Sequence, residues 1–373
     1  MQSGFETLHN YASQFSIQQA CRFLDQLPLH RFAILYGSAA FPNNIDGQCC
    51  EKEAAQRRQI DILIGVDDVK DFIIKSENIK SSLKGLKYIN FVEKRMFLPI
   101  FIPYLTDSST NDIGAHFKVG IFDFNAAIED LKSWKYFILA PRLTKPFIVL
   151  SPGPIKSKGD EKDFELFNYL QMNLKNAINT ALIASLNDNG HPNSHQLVLS
   201  YTNIFTRITS LSYFGDIRMI CAEDKNKIAN IVKNHYEMFQ IMYRNIFEDL
   251  QKKKLISILR NDKLSLNRNP STIFRLSKNI PKNIRQELHR RMINNSKHIL
   301  DFHSSIDHMI SDSSKSWNCL SQTLQSVLYR KSFLTSVKLI IGSILTLKIK
   351  TNAAYLLQKM KKFFTSKSSI NMN

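Results

Sequence analysis

Across the first 150 residues, short apolar runs alternate with polar turns, the pattern of strands separated by loops and helices. Five runs read as strands of one mixed sheet: Phe32 to Tyr36, Ile60 to Ile64, Phe97 to Phe101, Phe117 to Phe122 and Phe147 to Leu150. From Phe164 the period lengthens. Leu166, Leu170, Leu174, Ile178 and Leu182 recur every four residues and predict a helix with one apolar face. Val198 to Leu211 and Ile228 to Leu250 read as further helical segments, while Lys252 to Lys254 and Asn267 to Pro281 read as loops flanking short helices. Between the two patterns, Ser151-Pro-Gly-Pro-Ile-Lys-Ser-Lys-Gly-Asp160 combines Pro, Gly and charge and marks a boundary. Near the end, Leu334, Val337, Ile341, Leu345, Leu356, Met360 and Phe363 return at helical spacing. The predicted organisation is an α/β domain over 1–150, a mainly α-helical domain over 151–330 and an amphipathic tail over 331–373.

Composition leaves that picture standing and adds a partner class. A chain of 373 residues with 43% hydrophobic and 10% aromatic residues can bury a sizeable core, which excludes global disorder. Fifty Lys and Arg against 32 Asp and Glu give a net charge of +18, a field that attracts polyanions such as nucleic acid, nucleotides or an acidic lipid surface. The charge is uneven. No acid follows Asp312, and Arg330, Lys331, Lys338, Lys348, Lys350, Lys359, Lys361, Lys362 and Lys367 lie among the apolar positions of the tail. A basic amphipathic helix of this kind suits an anionic membrane interface; packing on the core with a solvated lysine face is the plainer alternative. Five cysteines without a C-x-x-C pair argue for a reducing compartment rather than a disulfide framework. The first 30 residues show neither a secretory signal nor a transit peptide. The longest nearly uncharged apolar stretch, Leu339 to Leu347, falls well short of the roughly 20 residues that span a bilayer as a helix.

Two features carry chemistry. Gly37-Ser38 directly follows an apolar strand, and so small a pair lets backbone N–H groups approach a phosphate chain closely. Asp61 stands inside Ile60-Asp61-Ile62-Leu63, where a carboxylate must be paired, hydrogen-bonded or metal-bound to offset its desolvation. A small-residue turn followed by an acidic strand is the arrangement nucleotidyl transfer requires, with carboxylate-held Mg²⁺ neutralising phosphate charge. The usual second acid two residues on is replaced by Leu63. Asp67 has the right parity but lies roughly 20 Å further along a straight strand, which leaves Asp123 or Asp216 as candidates for a second ligand. His191 with His195, and His303 with His308, fit solvated loops better than a metal site.

With these residues in view, the chain resembles the mitochondrial-type CDP-diacylglycerol synthases, the translocator assembly and maintenance family. The resemblance runs in order through Tyr36-Gly-Ser-Ala-Ala-Phe-Pro42, Ile60-Asp-Ile-Leu-Ile-Gly-Val-Asp-Asp68 and Phe117-Lys-Val-Gly-Ile121. It continues in Asp130-Leu131 with Trp134, Arg142-Leu-Thr-Lys-Pro146, and Asn173-Leu174 with Ala177. Leu211-Ser-Tyr-Phe-Gly-Asp-Ile-Arg-Met219 and Glu223-Asp-Lys-Asn-Lys-Ile-Ala-Asn-Ile-Val232 complete it. It implies an α/β nucleotidyltransferase-fold domain with a mixed sheet, a mainly helical, winged-helix-like domain and a C-terminal membrane-binding amphipathic helix. The implied reaction joins CTP and phosphatidate to give CDP-diacylglycerol and pyrophosphate, with Mg²⁺ as cofactor, in cardiolipin and phosphatidylglycerol synthesis. By the same resemblance Gly37 and Ser38 would cradle CTP phosphates, Asp61 would hold Mg²⁺, and Lys118, Arg142 and Lys145 would neutralise substrate phosphates; Asp216 and Arg218 are either a structural salt bridge or part of the pocket. Peripheral membrane attachment is implied, at the matrix face of the mitochondrial inner membrane or the cytoplasmic face of a bacterial membrane. Ala39-Ala40, Leu63, Pro141 and the lack of a Trp-His or His-Tyr-Ser pattern between Val69 and Phe91 depart from the family pattern.

Two other functions fit the residues. A nucleotidyltransferase acting on nucleic acid would use the same charge and aromatic content, but the basic residues gather in an acid-free amphipathic end rather than along a groove, so no nucleic acid is expected. A non-catalytic membrane scaffold retaining the fold is suggested by Leu63 and Pro141.

Overall fold

A computed structural model describes residues 8–41, 60–79, 104–105, 117–151, 161–188, 196–221, 224–294 and 316–346. The N-terminal unit is a five-stranded mixed sheet in the order β3-β4-β2-β1-β5. Its strands are β1 (Phe32–Tyr36), β2 (Ile60–Val66), β3 (Tyr104–Leu105), β4 (Phe117–Asp123) and β5 (Phe147–Ser151). β2 and β4 run parallel; β1 pairs antiparallel with β2 and β5, and β3 antiparallel with β4. Helices α1 (Gln14–Leu24), α2 (Val69–Ile79) and α3 (Phe124–Ser133) accompany it. The central strands are buried on both faces, which explains why they read as unbroken apolar runs rather than as alternation. Four of the five expected strands form. The fifth, Phe97 to Phe101, lies outside the described residues.

The second unit opens with α4 (Glu161–Ala184), whose Leu166, Leu170, Leu174, Ile178 and Leu182 are all buried as their four-residue spacing predicts. Two expectations for this unit are corrected. Val198 to Leu211 is not one helix: β6 (Gln196–Ser200) precedes α5 (Tyr201–Ser210), with Leu197 and Leu199 buried and Val198 51% exposed. That is strand alternation. The Ser200 side chain accepts the Asn203 N–H and starts the helix after it. Between the loops expected at Lys252 to Lys254 and Asn267 to Pro281, strands stand where short helices were expected: β7 (Ile256–Leu259) and β8 (Lys263–Asn267) form a hairpin, and the sheet order is β6-β8-β7. Between α5 and the hairpin come α6 (Arg218–Cys221), α7 (Lys227–Asn234) and α8 (Tyr236–Lys252), with a break at His235 inside the single helix expected over Ile228 to Leu250. α9 (Pro270–Ser277) and α10 (Lys282–Asn294) follow.

The last described helix, α11 (Ser316–Thr346), crosses position 331 without interruption. Trp317, Leu320, Leu324, Val327 and Leu328 bury its first half in the common core, and Ser321 Oγ donates to Ala184 O at the end of α4 at 2.7 Å. Its later turns show an outward stripe of Arg330, Leu334, Lys338 and Ile341. Among the described residues no helix is long and apolar enough to cross a membrane. Positions 347–373, which hold most of the basic tail, lie outside the described residues.

Candidate active site

The strands align three polar side chains in one row. Tyr36 at the end of β1 is in register with Asp61 of β2, and Asp61 with Lys118 of β4. Each is the partly exposed position of an otherwise buried strand end. Lys118 Nζ lies 3.7 Å from Asp61 Oδ1. Burial, and then the neighbouring Asp61 carboxylate, push the Tyr36 phenol well above its ordinary range, so it stays protonated.

Gly37 and Ser38 lie directly over this row. Gly37 adopts φ +83°, a conformation that favours glycine. A Cβ there would stand 2.9 Å from Asp61 Oδ2, so only glycine permits the turn to close over the carboxylate. The turn is fastened from below: Ala40 N–H and Phe41 N–H both donate to Gly37 O, and Ser16 Oγ donates to Ala39 O at 2.7 Å. Ala39, Ala40 and Phe41 are buried, whereas Ser38 is exposed.

A second group of side chains faces the row from the segment after α3. There Asp130, 1% exposed, accepts five backbone N–H groups: Tyr136 at 2.8 Å, Phe137 at 2.6 Å, Ile138 at 3.0 Å, Leu139 at 2.8 Å and Ala140 at 3.2 Å. Trp134 and Phe137 take left-handed φ values of 55° and 60° to make that wrap possible. Trp134 Nε1 donates to Asn173 Oδ1 at 2.8 Å, and Asn173 Nδ2 donates to Ala140 O at 2.9 Å. The Asp130, Trp134 and Asn173 positions are thus a scaffold, and what the scaffold presents is Arg142 and Lys145.

Arg142 donates to Ile138 O, and Lys145 Nζ to Pro141 O at 3.0 Å and to Ser212 Oγ. Both cations are held below their ordinary pKa ranges, first by burial; Arg218 adds to the effect at Arg142, and Arg142 with Lys227 add to it at Lys145. Lys145 and Lys227 each place an ammonium over the Tyr213 ring, 5.2 and 5.1 Å from its centroid. Asp216, buried, takes Arg218 Nε at 3.0 and 3.1 Å on its two oxygens and the Arg218 N–H at 2.9 Å. The pair is therefore a salt bridge, and Arg142 feels both of its members.

Gly37 and Ser38 with Asp61 and Lys118 at the sheet edge, and Arg142, Lys145, Asp216 and Arg218 beside them, form two neighbouring groups linked through Tyr36, on which Arg142 and Arg218 both act electrostatically. Ser212, Tyr213 and Lys227 join them; all three lie in blocks that carry the family resemblance, but no role was assigned to them, since a lysine at a helix start or a tyrosine in a turn has no distinctive spacing. Two acids do not join: Asp123, a candidate second ligand, and Asp67, already set aside on distance. Asp123 stands at the opposite end of β4, where its side chain accepts the Ala126 N–H at 2.8 Å and caps α3. Asp67 stands beyond the far end of β2 and pairs with Arg31 at 2.8 Å. His191, His195, His303 and His308 lie outside the described residues. Among the described residues no cluster of three His, Cys, Asp or Glu side chains could hold a metal. One strand carboxylate and an exposed hydroxyl still fit Mg²⁺, an ion commonly bound through one or two carboxylates together with substrate phosphates.

A mixed sheet whose glycine turn closes over a strand carboxylate, with a group of cations beside it, is an arrangement suited to binding phosphates. The family described as "Phosphatidate cytidylyltransferase, mitochondrial" matches residues 21–362, and the chain belongs to it. The chain is 26% identical over 264 residues to the human mitochondrial phosphatidate cytidylyltransferase, a match covering 70% of this chain and 52% of the human protein. It is 26% identical to the bovine protein of that name over 264 residues, 70% of each chain. Identity to the Dictyostelium discoideum protein of that name is 30% over 252 residues, 64% of this chain and 55% of the relative. The chain thus spans about half the length of the human and Dictyostelium relatives.

Proposed function

We propose that this chain transfers CMP from CTP to phosphatidate, releasing pyrophosphate and forming CDP-diacylglycerol. The observation that carries the reading is the row Tyr36–Asp61–Lys118 beneath the Gly37 turn, in a chain of this family. A phosphatidate oxygen attacks the α-phosphorus of CTP, a new P–O bond forms, and the bond to the β-phosphate breaks. The attacking group is already an anion, so no strong general base is needed, and the task is to bring like-charged phosphates together. The side chains supply that: Gly37 lets the triphosphate approach the backbone, Ser38 offers a hydroxyl, and Lys118, Arg142 and Lys145 offset phosphate charge. Tyr36, held protonated, can donate a hydrogen bond at the same edge. Asp61 and Ser38 would hold Mg²⁺, which when bound neutralises charge on the departing pyrophosphate.

The second unit's order of long helix, strand, helices and hairpin, with sheet order β6-β8-β7, supports a winged-helix-like reading. Arg330, Leu334, Lys338 and Ile341 on the outward stripe of α11 support peripheral docking on an anionic membrane. The mitochondrial names of the relatives support placement at the inner membrane.

Conversion of labelled CTP in the presence of phosphatidate vesicles and Mg²⁺ tests the reaction. Asp61→Ala is expected to lower product formation by about a thousandfold or more, roughly 4 kcal/mol of barrier, while the thermal melt stays close to wild type. A wild-type protein that forms no CDP-diacylglycerol, or an Asp61→Ala variant that retains turnover, overturns the reading; the first outcome leaves the scaffold function.

A further inference from the structure

The two cationic groups of the site differ in how their charge is met. Lys118 is paired with Asp61. Lys145, by contrast, makes no ion pair among the described residues: its hydrogen bonds go to Pro141 O and Ser212 Oγ, and the charged groups acting on it, Arg142 and Lys227, are both cations. Burying a cation beside two others is unfavourable until an anion arrives. The Tyr213 ring centroid lies 5.2 Å from Lys145 Nζ and 5.1 Å from Lys227 Nζ, and Lys227 acts electrostatically on Lys145. Arg142 is the shared neighbour: it acts electrostatically on Tyr36 in the strand row and on Lys145 in this group. Two adjoining cationic places with a common arginine are what a transfer between two phosphate-bearing molecules needs.

An apolar feature begins one residue on. Phe214 is 41% exposed and Tyr329 of α11 is 47% exposed, and their rings meet edge to face with centroids 5.5 Å apart. The contact is fixed by the backbone. Gly215 takes φ +89°, and a Cβ there would lie 2.4 Å from Tyr329 O, while Ile217 N–H donates to Ser336 Oγ of the same helix at 3.2 Å. Two large aromatic rings next in the chain to a cationic group form a surface with the polarity of an amphiphile, charged at one end and apolar at the other.

We propose that Lys145, Ser212, Tyr213 and Lys227 form the subsite for the phosphomonoester of the lipid substrate, and that Phe214 and Tyr329 take the first carbons of its acyl chains. The assignment rests on the transfer reaction proposed above. It divides the site: the triphosphate lies on the Gly37, Ser38 and Lys118 side, the lipid phosphate on the Lys145 and Lys227 side, with Arg142 between them.

Calorimetric titration of the full chain with dihexanoyl phosphatidate, glycerol 3-phosphate and CTP tests the assignment without requiring turnover. Dihexanoyl phosphatidate is expected to bind at least about tenfold more tightly than glycerol 3-phosphate. Lys227→Ala is expected to weaken dihexanoyl phosphatidate about tenfold and CTP by less than about twofold, with Lys227→Arg restoring most of the loss and Lys233→Ala, an exposed lysine of the same helix, changing neither. Phe214→Ser is expected to narrow the gap between the lipid and glycerol 3-phosphate. The subsite is overturned if Lys227→Ala weakens CTP as much as the lipid, if glycerol 3-phosphate binds as well as dihexanoyl phosphatidate, or if wild type binds no phosphatidate. Lipid binding that depends on Lys227 in a protein that forms no product would sink the transfer reaction alone; product formation with an unchanged phosphatidate KM in Lys227→Ala would sink the subsite alone.

Discussion

Asp61 and Asp130 are both acids in apolar surroundings, and the two regions they serve use them in opposite ways. Asp61 stands at a strand end with 23% of its side chain exposed, beside a lysine and under a glycine turn. Asp130 is 1% exposed and accepts five consecutive backbone N–H groups from the segment that carries Arg142. A carboxylate surrounded by backbone donors fixes conformation, whereas one that faces an opening beside a cation can still take a ligand. Burial of an acid is thus a poor guide to chemistry until its partners are known.

The largest effect expected from this difference is on stability at Asp130. Removing its carboxylate leaves five buried donors without their acceptor, each costing on the order of 1 kcal/mol even after water enters. Asp130→Ala should therefore lose about 4 kcal/mol or more in urea unfolding, and activity should fall with it because Arg142 and Lys145 hang from the released segment. Asp61→Ala should change the urea midpoint little. Equal stability of the two variants would break the distinction between them.

His235 sharpens the comparison as a titratable group held buried and neutral. It separates α7 from α8, is 8% exposed, and its ring lies 5.8 Å from that of Phe41 at the end of the Gly37 turn. Burial lowers its pKa from 6.5 to about 4. Below pH 6.5 the unfolded chain takes up a proton that the folded chain refuses until about pH 4. The folded state therefore has its full stability from this group above pH 6.5 and loses it as the pH falls from there to about 4. Between pH 7.5 and pH 5 the loss should be about 2 kcal/mol. His235→Leu should flatten that part of the profile; the same steepness in wild type and variant would show that carboxylates elsewhere cause it.

What the sequence disclosed follows from the same physics. Asp61 was legible because an acid within four apolar residues contradicts the burial of its strand, and α4 was legible because its apolar residues repeat every four positions. The hairpin of β7 and β8 was hidden by its short strands, yet Asn261 and Asp262 at its tip, with φ 59° and 52°, are residue types that tolerate the left-handed region, and together they were a turn signal. The Asp130 scaffold left no such trace. Its five bonds go to backbone groups, which carry no side-chain code, and the left-handed residues that shape it are Trp134 and Phe137, types from which no turn would be inferred. The joining of Lys145 to Lys227 depends on a contact across more than 80 positions, set by how the two units pack rather than by any local pattern.

The smallest effect is expected at Asp67, six residues along from Asp61. Its parity matched that of a metal ligand but its distance along the strand set it aside, and it pairs with Arg31 at 2.8 Å, its side chain 61% exposed. An exposed pair of this kind contributes less than about 1 kcal/mol, because water screens the charges and two side chains must be held still. Asp67→Ala should thus shift the urea midpoint slightly and leave turnover and Mg²⁺ dependence at wild-type values. A large loss of turnover in this variant would mean that the far end of the strand takes part in the chemistry, and the assignment of the site to the Tyr36–Asp61–Lys118 end would then fail.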